Sequence, residues 1–282
     1  MGKKIACITL DIEPDLRDPQ RRVRLFDDNS LRSRYEAVVR ANDLKVTGFV
    51  VTSLIESYGQ AIDRLSQHIP VEFGVHSHDH DTKNPCSREQ IEKASRAYEA
   101  FWGTAPLGYR APIGLMSRDG VKHLLHCQYQ YDTSIYPSIR LDEYHYSHLS
   151  LPLEPFRFVR GHETLVELPA ACLRAIRLVF SFSHVKLLSL RLYRMLMVLF
   201  PLPDVVVLGS HPYDFYVSLI AHHLKGWKRL AHLRNARRAF DLFEQTVKLL
   251  RGRGYEFMYM SELNDHVRRL PHVPRIPVDG EW

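Results

Sequence analysis

Apolar residues along this chain gather in short runs of strand length, separated by longer segments of helical character. Residues 4–10, 47–52, 71–75, 107–110, 166–168, 205–209 and 256–260 read as strands. Residues 31–42, 61–68, 117–126 and 235–251 read as helices. Ser87, with Gln90 three positions on, reads as the N-cap of a further helix that runs through Trp102 to a stop at Gly103. Alternation of this kind predicts parallel βαβ units, and therefore an α/β fold that is either a barrel or an open doubly wound sheet. Asp11, His76, Arg110 and His211 each fall just after an apolar strand, the end at which βα barrels assemble their sites.

Two regions depart from the alternation. Residues 172–203 form a basic, very apolar insertion in which Arg177, Lys186, Arg191 and Arg194 interrupt every long uncharged span, so a transmembrane helix is not expected. The stretch 175–200 reads either as a pair of core helices or as an interfacial helix that rests on a membrane. From 271 to 282 the chain is proline-rich and reads as an extended tail behind a single domain, 1–270.

The 282 residues are enough for one sizeable core, and four scattered cysteines show neither zinc-knuckle spacing nor disulfide density. They read as free thiols. The apolar start of the chain is only a strand long and runs into acids, so no secretory signal is expected and the location is read as cytoplasmic, at the inner face of the membrane if the insertion touches lipid. A net charge of +6 suits nucleic acid, anionic lipid or a phosphorylated substrate, but no nucleic-acid module accompanies it and nucleic acid is not expected as a partner.

The strongest local chemical signal is VEFGVHSHDH. His76 and His80, four apart, would project to one side of a helical turn and could share a metal, with a carboxylate from LDIEPD (Asp11 or Glu13) completing a set that leaves positions open. A plain acidic surface turn is the competing reading of LDIEPD. GYRAP, around Arg110 and Pro112, and LGSHP, around His211 and Pro212, converge with these segments.

In this order the segments resemble the polysaccharide deacetylase family, the NodB homology domain of carbohydrate esterase family 4, in its DxE subgroup. TLDIE is similar to the opening acidic motif, with Ile12 where a second aspartate is commoner, and His76 to His80 match its HxxxH. Arg110 and Pro112 match RxP, with Ile113 where a tyrosine often stands; YDTSIYPS, LVELP and LGSHP resemble later segments. The resemblance implies a distorted (β/α)7-type barrel and one divalent metal, usually zinc. It implies that Glu13, His76 and His80 bind the metal, that Asp11 is general base held by Arg110, and that His211 is general acid. The backbone N–H of Ile113, after Pro112, would help hold an oxyanion, and Asp132 could polarise His211. Amide cleavage asks for such parts independently: a Lewis acid, a base for water, an oxyanion donor and an acid for the leaving amine. Tyr109, Tyr136, Tyr213 and Trp102 could offer faces to a sugar, although aromatics near strand ends are more often core.

The implied activity is removal of an N-acetyl group from an amino sugar of a glycan or lipid-linked glycoconjugate. The alternatives are deformylation or hydrolysis of another amide on the same scaffold, and a non-catalytic glycan-binding protein.

Overall fold

The structure is a computed structural model that describes residues 3–15, 18–141, 144–217 and 224–282. Along the chain run β1 (Ile5–Ile12), α1 (Arg24–Asp27), α2 (Asn29–Ala41), β2 (Val46–Val50), α3 (Ile55–His68), β3 (Val71–Val75), α4 (Arg88–Trp102), β4 (Gly108–Tyr109), α5 (Arg118–His126) and β5 (Tyr131–Asp132). A small hairpin follows, β6 (Ile139–Arg140) and β7 (Tyr146–Ser147), then β8 (Phe156–Arg160) and β9 (Glu163–Glu167). The remainder is α6 (Phe182–Leu188), α7 (Leu190–Leu199), β10 (Val205–Ser210), α8 (Gly226–Leu233), α9 (Ala239–Gly252), β11 (Glu256–Phe257), α10 (Met260–Arg269) and β12 (Arg275–Pro277).

Seven strands, in the order β10-β1-β2-β3-β4-β5-β9, are mutually parallel, with the antiparallel β8 beyond β9 and β12 beyond β8. This is the α/β architecture of a distorted (β/α)7 barrel. Between β9 and β10 the ladder is replaced, among the described residues, by a single backbone hydrogen bond from Ala171 N–H to the Val207 carbonyl, 3.2 Å. All eight residues of β1 are buried, as expected where helices cover one face of a parallel strand and the barrel interior the other. Ala6, Ile8, Leu10 and Ile12 pack toward the helices, whereas Ile5 and Cys7 join Phe49, Tyr131, Val166 and Val207 inside.

Ser87 and Ser117 cap α4 and α5, accepting from Gln90 N–H and Gly120 N–H, and α4 ends at Gly103 with φ +72°. The Gln90 side chain closes no capping box; its Oε1 accepts from the Asp79 amide in the histidine loop instead. The insertion forms α6 and α7, and no helix among the described residues is long and apolar enough to cross a membrane. The four cysteines are free. The segment after 271 is extended but docked, because Arg275–Pro277 pairs in parallel with β8 and Val278 is fully buried.

Candidate active site

Alternate side chains of β1 face the barrel interior, so Ile5, Cys7, Thr9, Asp11 and then Glu13 form a column that turns from apolar to acidic toward the C-terminal end. Arg110, at the end of β4, meets it. Its Nη1 donates to Asp11 Oδ1 at 2.6 Å and to Thr9 Oγ1 at 2.7 Å, while Nε donates to the Thr133 carbonyl at 3.3 Å and Nη2 to Thr133 Oγ1 at 3.3 Å. The guanidinium lies 4.5 Å from the centre of the Phe49 ring. Asp11 and Arg110 are both buried, and a buried pair with its other donors used is a fixed pair. Asp11 Oδ2 is left facing His211 Nε2, 3.8 Å away.

Glu13, His76 and His80 bring one ligand atom each to within 4.8 Å of one another. The expected helical turn is absent. After β3 the two histidines sit on an irregular loop in which Ser77 and His80 take positive φ, +61° and +57°, and the His80 amide donates to Ser77 Oγ at 3.1 Å. Same-side projection is thus achieved by two left-handed residues, supported by Thr52 N–H to the Ser77 carbonyl and Ser53 N–H to the His78 carbonyl. His78 turns away and meets Thr52 Oγ1 through Nδ1 at 2.9 Å.

The donor chemistry fits a divalent cation. His76 Nδ1 lies 2.8 Å from the Arg110 carbonyl, which can only accept, so Nδ1 carries a proton and Nε2 faces Glu13 Oε2 at 3.1 Å. His80 Nε2 is buried 2.6 Å from the same oxygen, yet makes no hydrogen bond of acceptable geometry. Two nitrogens and a carboxylate oxygen converge on one point, a donor set that a single divalent cation would satisfy. Tyr213 Oη donates to the other oxygen, Glu13 Oε1, at 2.6 Å and so fixes which oxygen points inward. Burial works against the Glu13 charge, but His80 and His76 outweigh it and hold the carboxyl well below the usual range.

His211 opens a single 3-10 turn, Pro212–Asp214, that delivers three functional side chains. A turn with three residues per revolution stacks positions i and i+3. Asp214 Oδ2 accepts from the His211 amide at 2.9 Å and lies 3.1 Å from His211 Nδ1, so it both caps the turn and orients the imidazole. Tyr213 stacks on the ring at 4.8 Å with an interplanar angle of 8°. Ser183 Oγ donates to Asp214 Oδ2 at 2.8 Å and Lys186 Nζ to Asp214 Oδ1 at 3.3 Å, both from α6 of the insertion. Burial pulls the His211 pKa down, but the bond to Asp214 and the charges of Glu13, Asp214 and Asp11 outweigh it, so it is pushed up to about 9.

Asp132, expected near His211, is elsewhere: the partner is Asp214. Asp132 is fully buried behind the RxP loop, where it accepts from Ser134 Oγ at 2.6 Å, and Ser134 Oγ in turn accepts from the Ala111 amide at 2.7 Å. Burial and the Asp132 charge push the neighbouring Glu167 carboxyl well up, and Glu167 Oε1 accepts from the Ile135 amide at 3.0 Å. Together they stiffen the segment against which Arg110, Pro112 and Ile113 are set. Pro112 starts a 3-10 turn with Ile113 at φ +52° and Gly114 at φ +73°. The first amides of such a turn, that of Ile113 among them, have no partner within it. Of the aromatic candidates, Tyr109 is buried, Trp102 packs on Phe73, Tyr98 and Phe101, and Tyr213 is engaged with His211 and Glu13. Tyr136 is half-buried beside the RxP loop.

Comparison with known proteins agrees with this geometry. The family model described as polysaccharide deacetylase matches residues 2–131. No curated protein sequence matches the chain. Among solved structures, a protein from Mycobacterium smegmatis assigned as a polysaccharide deacetylase superposes with a TM-score of 0.62 at 17% identity, covering 100% of this chain and 96% of that one. A Pseudomonas aeruginosa protein of the same assignment gives 0.57 at 12% identity, covering 95% and 92%. An allantoinase gives 0.60 at 12% identity, covering 96% and 93%, and a carbohydrate esterase family 4 pseudoenzyme from Bacillus anthracis gives 0.54 at 12%, covering 94% and 66%. Residues 2–131 are thus similar to the polysaccharide deacetylase family model, and the chain as a whole has the (β/α)7 barrel fold of these solved structures.

Proposed function

We propose that this protein is a metal-dependent amidohydrolase that removes an N-acetyl group from an amino sugar of a glycan or lipid-linked glycoconjugate. One observation carries the reading: Asp11, held by Arg110, faces His211 across 3.8 Å at the same barrel mouth as the Glu13–His76–His80 cluster.

Glu13, His76 and His80 would hold the ion, for which a nitrogen-rich set of this kind favours zinc. When bound, such a cation supplies a Lewis acid that polarises an acyl carbonyl and makes water more acidic. Asp11 takes a proton from the attacking water, and Arg110 keeps that carboxylate aimed. The Ile113 amide donates to the oxygen on which charge builds up. His211, protonated near neutral pH, gives its proton to the departing amine, and Asp214 holds the imidazolium in place. Base and acid must therefore be in opposite protonation states, and the rate should pass through a maximum with pH.

The fold alone does not choose the substrate, because an allantoinase and a pseudoenzyme share it. Against a purely binding role stands the full set of Asp11, Glu13, His76, His80, Arg110 and His211 in mutual reach. The test is metal analysis of the purified protein, followed by product release from a panel of N-acetylated hexosamines, free and lipid-linked, with formylated and cyclic amides alongside. Acetate release that vanishes in Asp11→Asn supports the reading; turnover of the formyl or cyclic substrates alone replaces the acyl group, and no turnover by metal-loaded protein overturns it.

A further inference from the structure

Helix α7 is apolar on both sides. Leu190, Tyr193 and Met197 are buried, and on the opposite face Met195, Val198 and Leu199 are 69%, 78% and 75% exposed, where a surface helix ordinarily carries polar groups. The exposed polar residues that accompany them are two arginines, Arg191 and Arg194.

Charge is concentrated in the same neighbourhood. Residues 168–203 and 215–240 hold 11 of the 38 Lys and Arg and none of the 32 Asp and Glu; the rest of the chain, with 27 cations against 32 acids, has a net charge of −5. These two segments supply α6, α7 and α8, and α6 packs against both of the others. On α8, Leu230 is 55% exposed beside the exposed Arg229.

We propose that the outer face of α7, with its exposed Arg191 and Arg194 and the basic α8 that packs beside α6, docks this protein on an anionic lipid bilayer. A second copy of the chain would bring a like charge to the same face, whereas anionic headgroups bring the opposite one. Nucleic acid matches the charge but offers nothing to three neighbouring aliphatic side chains. A bilayer matches both, because Met195, Val198 and Leu199 can enter the acyl boundary while the long arginine stems reach back to phosphates. At ten residues, about 15 Å, α7 lies in the interface and does not span it. Ser183 and Lys186 on α6 hold Asp214, so the docking helix follows directly on the helix that supports the site.

The test is flotation of the full chain with phosphatidylcholine vesicles, with and without phosphatidylglycerol, at low and high salt. The protein rises with the anionic vesicles at low salt; Arg191→Gln and Arg194→Gln each weaken partitioning by about fivefold, and Met195→Glu with Val198→Glu leaves the protein at the bottom. All four positions are exposed, and unchanged melting curves confirm that the variants are folded. A wild-type protein that stays at the bottom with anionic vesicles overturns the proposal, as does a Met195→Glu, Val198→Glu variant that still floats. Self-association that those two changes abolish while flotation persists assigns the face to a second copy and also overturns it. None of these readouts requires turnover, so the docking surface stands or falls apart from the hydrolase reading.

Discussion

Replacing Asp214 by asparagine removes a charge while keeping an oxygen that can still accept from the His211 amide. At 3.1 Å and an effective dielectric near ~20, a full charge pair is worth ~5 kcal/mol, or ~4 pKa units. A quarter of the His211 side chain is exposed, and solvent screening reduces that to roughly half. The expected fall is therefore about 2 units, from about 9 toward the ordinary histidine value of ~6.5. Imidazole signals followed by NMR in metal-free protein read this directly, and the alkaline limb of the kcat/KM profile moves to lower pH by the same amount. The substitution also strands Lys186, which is 1% exposed, at a cost of about 3–5 kcal/mol. Lys186→Met combined with Asp214→Asn recovers much of that stability and leaves the titration shifted. A His211 midpoint in Asp214→Asn equal to that of the wild type would refute the assignment of Asp214 as its controlling anion.

Asp11→Asn retains bound metal by elemental analysis but loses ~10²–10⁴-fold in kcat/KM, and an unchanged rate removes Asp11 as base. His76→Ala or chelation lowers the melting temperature, since an ion at ~1,000 times its Kd stabilises by about 4 kcal/mol; a chelator without effect on melting argues against the site. Gly114→Ala places a Cβ 2.6 Å from the Tyr136 ring at φ +73° and should cost about 1–3 kcal/mol in denaturant titrations, a result that an unshifted midpoint contradicts. In metal-free protein the raised pKa of His211 contributes stability that is complete below ~6.5 and is lost as pH rises through about 9, so melting temperature falls across that window and falls less in Asp214→Asn.

Much of the barrel was legible because parallel strands buried on both faces leave continuous apolar runs, and the residue after each run lands at the barrel mouth. That placed Asp11, His76, Arg110 and His211 together. What the local pattern could not supply was contact between distant segments. The pairing of β12 with β8 joins residues more than a hundred positions apart, and nothing in the proline-rich sequence marks its partner. The family resemblance offered Asp132 as the partner of His211, whereas Asp214 holds it through the three-residue geometry of HPYD, a signal present in the sequence once the turn is read as 3-10. The helical spacing of His76 and His80 gave the right outcome by the wrong backbone: two left-handed residues in a loop, not a turn of helix, bring them together. Tyr213 looked like a face for sugar and is instead the anchor of Glu13.

The seam where Ala171 alone bonds Val207 gives the barrel uneven compliance. The ladder from β10 through β1 and β2 to β3, at whose ends His211, Asp11 and His76 stand, is continuous, while between β9 and β10 the backbone bonding among the described residues comes down to one stitch. Widening of the mouth to admit a bulky chain would be absorbed at that stitch, leaving those three groups in register, and amide exchange along β10 should be faster on the side turned to β9 than on the side turned to β1.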